Sequence, residues 1–109
     1  MAKLIKLENQ ESLDRYKGQS YLLWFTADWC GPCKRLKPFV EEILPRLPVD
    51  ILIVDLTEDV ETGSFIDNIR TGYQIRGIPS IQYIKGTEYF NLTEFFQKFQ
   101  SHIILKLLQ

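Results

Sequence analysis

Residues 21–33 read YLLWFTADWCGPC, a continuous apolar run followed shortly by two cysteines. An apolar run of this kind is typical of a central strand that helices cover on both faces. After Trp29, apolar side chains recur at helical spacing, at Leu36, Phe39, Val40, Ile43 and Leu44. The stretch therefore predicts a buried strand that leads directly into a helix, with the two cysteines at the junction.

Strands and helices alternate on both sides of this stretch. Strands are predicted at residues 4–7, 51–54, 81–84 and 89–90, and helices after Asn9, which can cap the first one, and around residues 65–73. The predicted order is β-α-β-α-β-α-β-β-α. It corresponds to an α/β fold in three layers, in which helices flank both faces of a central mixed sheet of about five strands.

The last predicted element is one continuous helix. We expect it to begin at Asn91, whose side chain can cap the first turn while Glu94 reaches back. Its apolar face would consist of Leu92, Phe95, Phe96, Phe99, Ile103 and Leu107.

Length and charge narrow the possible functions. The 109 residues suit one globular domain, residues 1–109, and 13 Lys and Arg against 14 Asp and Glu give a net charge of −1. Without a basic surplus, nucleic acid and anionic membranes are poor partners. No apolar run approaches the ~18–20 residues of a bilayer span, and the first residues lack the apolar core of a signal peptide. We therefore expect a cytoplasmic protein.

Cys30 and Cys33 are the only cysteines. A structural disulfide stabilises most when it closes a long loop, and a bond between these two would close almost none. A zinc site needs about four ligands, and the chain offers these thiols and one histidine, His102. Reactivity is the favoured role, and the alternatives are two unrelated thiols or half of a metal site shared between subunits.

Thiol–disulfide exchange needs an attacking thiolate, a resolving thiol within reach, and access for a second macromolecule. Cys30 is predicted at a helix start, where free N–H groups and the helix dipole stabilise a thiolate. Cys33, one turn further, is expected to face inward beside it. Gly31 allows close backbone packing and Pro32 stiffens the turn.

Two segments together resemble a known family. WCGPCK at 29–34, followed by Pro38 in the next helix, and IRGIPS at 75–80 before a strand are similar to the motifs of thioredoxins. The resemblance covers nearly the whole chain in length and in order of elements. It implies the thioredoxin fold and the activity of a protein-disulfide reductase.

The resemblance also implies roles for individual residues. Cys30 would be the attacking nucleophile and Cys33 the resolving thiol. Pro79 matches the family's cis-proline opposite the cysteines, and the backbone of Ile78 would pair with an extended segment of the target. The surface on which the target docks would consist of Trp29, Gly31, Pro32, Gly77 and Ile78, with Pro79 beside them.

The resemblance implies no cofactor beyond the redox-active Cys30–Cys33 disulfide. Electrons would come from a thioredoxin reductase, and the other partners would be target proteins that contain disulfides. We expect a monomer that takes part in electron transport and cell redox homeostasis.

Two positions depart from the family pattern. Trp24 stands where thioredoxins typically carry a buried Asp that takes the proton of the resolving thiol, and an indole cannot accept a proton. Ile53 stands where many members have a Lys near that Asp. We therefore expect slower resolution of the mixed disulfide, or a shifted redox potential, with Trp24 as packing beside the site.

Other functions remain open for this sequence. The fold could serve as a binding subunit or accessory factor that needs no proton transfer. Thiol–disulfide exchange is also the reaction of disulfide oxidases and isomerases, although Gly-Pro between the cysteines favours a reductant.

Overall fold

The computed structural model describes all residues, Met1–Gln109. Its centre is a five-stranded sheet in the order β1-β3-β2-β4-β5. The strands are β1 (Leu4–Lys6), β2 (Tyr21–Thr26), β3 (Ile51–Asp55), β4 (Ser80–Lys85) and β5 (Glu88–Asn91). The strands β1, β3 and β2 are parallel, whereas β4 runs antiparallel to both β2 and β5. The predicted mixed sheet of about five strands is confirmed.

Helices cover both faces of this sheet. They are α1 (Gln10–Asp14), α2 (Gly31–Ile43), α3 (Phe65–Gly72), α4 (Thr93–Gln97) and α5 (Ser101–Leu107), and a short 3₁₀ turn at Leu44–Arg46 follows α2. The longest, α2, has 13 residues, and none of the helices combines the length and apolarity that a bilayer crossing requires.

The strand β2 contributes to an apolar core on each face, because successive side chains of a strand point to opposite sides. Leu22 and Trp24 pack in one core with residues of α2, α4 and α5, including Val40 and Phe96. Leu23 and Phe25 belong to the other core, with which α1 and α3 are packed. The predicted three-layer α/β arrangement is therefore confirmed.

The first helix begins where the sequence predicted and ends earlier. Asn9 caps it by accepting a hydrogen bond from the Ser12 N–H at 3.0 Å. The helix ends at Asp14 rather than continuing through Tyr16, whose hydroxyl donates to Asp50 at 2.6 Å.

The prediction of one continuous last helix is wrong. The chain forms α4 and α5, and between them Phe99 adopts a left-handed backbone conformation with φ 55°. The N–H of Gln100 donates to the Phe95 carbonyl and that of Phe99 to the Phe96 carbonyl, which is the Schellman ending of a helix. Asn91 is not the N-cap; its side chain accepts from the N–H and hydroxyl of Thr93.

The break also shifts the apolar face by one residue. Beyond Phe99 the buried side chains are Ile104 and Leu108, whereas Ile103 and Leu107, assigned to the core by the helical pattern, are exposed. Phe99 is exposed as well.

Candidate active site

The two cysteines lie where β2 leads into α2. The strand ends at Thr26, and Cys30 is the N-cap of α2, with Pro32 in the first turn. Cys30 and Cys33 form a disulfide with a Cα–Cα distance of 5.2 Å. The Cys33 N–H points at Cys30 Sγ, 3.3 Å away. The first sulfur therefore faces the free N–H groups and the positive end of a helix, both of which favour a thiolate.

The residues around the disulfide differ in exposure. Cys30 is 6% exposed and Cys33 2% exposed, so Cys33 is the more enclosed residue. Gly31 and Pro32 between them are exposed, and Trp29 is 65% exposed. The disulfide thus lies just under a surface to which Trp29 contributes an aromatic ring.

A loop from the other half of the sheet meets the cysteines. The Ile78 carbonyl oxygen lies 3.8 Å from Cys30 Sγ, and Ile78 packs against the small cluster of Ala27 with the two cysteines. The Ile78–Pro79 peptide bond is cis. Pro79 is buried, and Gly77 is exposed on the same loop. The structure therefore brings together two segments that are distant in sequence, 29–33 and 77–79.

The sequence reasoning missed a hydrogen-bonded network behind the motif. Thr57, after the end of β3, accepts the Asp28 N–H through its hydroxyl at 2.9 Å, and its carbonyl accepts the Trp29 indole N–H at 3.1 Å. Asp55 in turn accepts both the N–H and the hydroxyl of Thr57. Position could have revealed these residues, because they follow a buried parallel strand at the sheet end where the motif lies.

Asp55 is held ionised by its surroundings. Burial raises the pKa of this carboxyl, but the hydrogen bonds from Thr57 and the nearby Lys6 ammonium outweigh it, so that the net pKa is lowered. Lys6 Nζ lies 3.5 Å from Asp55 Oδ2.

Trp24 lies in a cleft that Cys33 also lines. The cleft has a volume of about 430 Å³, and its lining includes Trp24, Cys33 and Ile53 together with the Lys6–Asp55 ion pair. Trp24 is 3% exposed, and its indole nitrogen has no hydrogen-bond partner. The side chains at 24 and 53 are apolar, yet the carboxylates of Asp28 and Asp55 and the ammonium groups of Lys6, Lys34 and Lys37 line the same cleft.

Residues 75–78 line two surface grooves and form the ridge that the grooves share. The first, the Trp29 groove, has a volume of about 480 Å³ and is lined by Trp29, Leu56 and Ile78 with Glu58 and Asp59 on its wall. The second groove lies on the other side of Ile78 and Pro79. An extended segment that crosses the ridge next to Cys30 therefore meets both grooves.

No group of three or more His, Cys, Asp or Glu side chains is arranged to hold a metal ion. His102 is exposed on α5, away from the motif in sequence.

A disulfide at the start of a helix, at the end of a central strand and beside an Ile-Pro loop, defines a CxxC-type protein of the three-layer α/β class. A thioredoxin family model matches residues 3–105. The chain belongs to the thioredoxin family.

Individual relatives agree with this assignment. The thioredoxin of Rickettsia felis is 37% identical over 67 residues, which cover 62% of this chain and 59% of that protein. The chloroplastic thioredoxin M-type of Spinacia oleracea is 36% identical over 64 residues, or 59% of this chain and 33% of that protein. The matched segment thus spans less than two thirds of each of these relatives.

Solved structures show the same fold. Oxidised thioredoxin O2 of Arabidopsis thaliana superposes with a TM-score of 0.69 at 19% identity, covering 97% of this chain and 95% of that one. A mutant thioredoxin of Halobacterium salinarum gives a TM-score of 0.68 at 22% identity, with 98% of this chain and 92% of that one covered.

Proposed function

We propose that this protein is a thiol–disulfide oxidoreductase that reduces disulfides in target proteins. The observation that carries the proposal is the Cys30–Cys33 disulfide at the start of α2, next to an accessible ridge. In the reduced protein the Cys30 thiolate attacks one sulfur of the target disulfide. A mixed disulfide forms, and the other target sulfur leaves as a thiolate that takes up a proton.

Cys33 completes the exchange. Its thiol loses a proton and attacks Cys30 Sγ, which releases the second target sulfur as a thiolate. Two electrons have then passed to the target, and the Cys30–Cys33 disulfide is restored. Reduction of that disulfide by a thioredoxin reductase would close the cycle.

The roles of the two cysteines follow from their positions. Cys30 Sγ faces the Cys33 N–H at the helix start, which favours its thiolate form. Cys33 is the more buried of the two and is suited to attack from within. The target would lie across Ile78 and the cis-proline Pro79, with its backbone paired to Ile78 as an added strand.

Trp24 is the reason to propose a slower second step. A buried indole cannot take the proton of the Cys33 thiol. The charged side chains that line the cleft are Lys6, Asp28, Lys34, Lys37 and Asp55. Stopped-flow kinetics of the wild type and Trp24→Asp should show faster resolution in the variant. Equal rates across pH 6–9 in a folded variant would refute this step.

Reduction of insulin by dithiothreitol, followed by turbidity, tests the function. The wild type should accelerate the reaction and Cys30→Ser should not. Cys33→Ser should stop at the mixed disulfide and accumulate target bound through Cys30. No acceleration by the wild type over dithiothreitol alone would overturn the reductase assignment and favour a docking role.

The remaining expectations are part of the same proposal. A reductant of this kind works as a monomer in a reducing compartment such as the cytoplasm, within cell redox homeostasis. It needs no cofactor beyond its disulfide and an electron donor. The approximate balance of positive and negative charges supports protein partners over nucleic acid.

A further inference from the structure

A buried polar side chain lies at the floor of the second groove, and the exchange reaction does not use it. Gln82, near the middle of β4, is 5% exposed. Its Nε2 donates a hydrogen bond to Ser80 Oγ at 2.9 Å, and its Oε1 accepts none within the protein. In either orientation of this amide, one of its two polar atoms has no partner within the protein, and that atom is not fully enclosed.

The groove around Gln82 shares Ile78 with the surroundings of Cys30. This Gln82 groove has a volume of about 510 Å³, and Ile78 and Pro79 form its border on the ridge. The Ile78 carbonyl lies 3.8 Å from Cys30 Sγ. A target segment that docks on Ile78 with its sulfur at Cys30 therefore reaches the border of the groove that Gln82 lines.

Strand pairing explains why the floor of the groove is polar. Gln82 pairs with Asn91 across β4 and β5, so the two side chains lie side by side on the same face. Ser80, two residues before Gln82, shares that face. The edge of the ring pair Tyr73–Tyr89, with centroids 5.1 Å apart, contributes to the wall.

The unpaired amide determines which side chain fits. An apolar side chain would bury the free polar atom of Gln82 without a partner. A carboxylate only accepts, so it can pair with Gln82 in one orientation of the amide and not in the other, whereas a primary amide can pair in both. The single charged residue of the lining, Arg76, is exposed. A primary amide both donates and accepts, so it can pair with Gln82 and with the Ser80 hydroxyl.

We propose that the Gln82 groove is a specificity subsite that takes an Asn or Gln side chain of the target segment docked on Ile78. The inference rests on the proposed function. It adds a preference among targets that the thiol chemistry alone does not provide.

Short peptides with one central cysteine, linked as disulfide homodimers, test the preference. One position at a time is varied, and for each position three peptides are made that carry Gln, Glu or Leu there. Chromatography follows the reduction of each peptide by the reduced protein in a single turnover. At one position the Gln peptide should react about tenfold faster than both the Leu and the Glu peptide. Equal rates at every position would overturn the proposal.

Variants locate the preference at the groove. In Gln82→Leu, the Gln and Leu peptides should be reduced at equal rates. Gln19→Leu is the same substitution at an exposed residue before the start of β2, and this variant should still reduce the Gln peptide faster than the Leu peptide. If thermal unfolding shows that Gln82→Leu is not folded, Ser80→Ala, which removes the partner that orients Gln82, should reduce the ratio of the Gln rate to the Leu rate. If a folded Gln82→Leu or Ser80→Ala variant still prefers the Gln peptide as strongly as the wild type does, the proposed subsite is wrong.

The same experiment separates this inference from the reductase function. If the wild type reduces none of the peptides and does not accelerate insulin reduction, the reductase function itself fails. If it reduces every peptide at the same rate, the reductase function stands and the Gln82 subsite is excluded.

Discussion

Thr57 joins the end of β3 to the motif through three of its own polar groups. Its hydroxyl accepts from the Asp28 N–H, its hydroxyl and N–H donate to Asp55, and its carbonyl accepts from the Trp29 indole. Single residues in such a position act through others, because they fix the backbone from which the reactive side chains project. No apolar pattern marks such a residue, so the sequence reasoning passed over it.

Thr57→Val should lower the free energy of unfolding by about 1–2 kcal/mol. The valine keeps the shape of the side chain but leaves the Asp28 N–H and Asp55 without their hydroxyl partner. Thr57→Ser restores the hydroxyl and should return most of the stability. Urea denaturation measures both variants, and equal losses in the two would mean that the hydroxyl is not responsible.

Asp55 should make part of the stability dependent on pH. Its pKa is lowered in the folded protein, so its contribution is fully present above the unfolded pKa of ~3.9 and is lost as the pH falls through the folded value. Between about pH 5 and pH 2 the free energy of unfolding should therefore fall more steeply in the wild type than in Asp55→Asn. Parallel curves from urea titrations would contradict this contribution.

At the scale of elements, two helix endings depart from what sequence patterns reveal. Gln74 after α3 and Phe99 after α4 occupy the left-handed position, with φ 57° and 55°, that Gly usually takes. The chain carries no glycine at either position, so neither ending was signalled by sequence. This is the physical reason why the last helix was predicted as one element.

Gln74→Gly should raise the free energy of unfolding by about 0.5–1 kcal/mol, because glycine removes the steric strain of the left-handed conformation. The gain is reduced by the greater freedom of glycine in the unfolded chain. Urea denaturation provides the measurement. Gln74→Ala, which keeps a Cβ in the same conformation, is the control and should show no such gain.

A pair of adjacent isoleucines tests the break at Phe99. Ile104→Ala should lower the free energy of unfolding by about 2–5 kcal/mol because Ile104 is fully buried. Ile103→Ala should lower it by less than about 1 kcal/mol, since Ile103 is exposed. An uninterrupted helix would give the opposite order, so chemical denaturation of the two variants decides between the arrangements.

At the scale of the whole molecule, the sheet could be predicted because its strands are marked by short, contiguous sequence patterns. Apolar runs at β2 and β3 indicated strands buried on both faces, and short connections favoured neighbouring elements. Contacts such as Lys6 with Asp55, or Asp28 with Thr57, join segments that are distant in sequence. Only the register of the sheet brings them together, which is why the cysteines were found from sequence and their supporting network was not.

Reduction of the disulfide should destabilise the whole fold modestly. The bond joins residues three positions apart, and closing so short a loop restricts the unfolded chain by only about 2 kcal/mol in the chain-entropy account. Urea denaturation with and without dithiothreitol measures the difference. The double variant Cys30→Ser, Cys33→Ser should not respond to the reductant, and a reduced form as stable as the oxidised one would contradict the estimate.

Both tryptophans of the chain lie near the disulfide, since Trp29 precedes Cys30 in the chain and Trp24 lines a cleft with Cys33. Trp29 is exposed to solvent in the Trp29 groove, and Trp24 is buried at the cleft that Cys33 lines. The intrinsic fluorescence of the protein therefore originates almost entirely beside the reacting sulfurs. Opening of the disulfide, loss of the Trp29–Thr57 hydrogen bond and occupation of the Trp29 groove should each change the surroundings of one indole, so tryptophan fluorescence should report on the proposed exchange.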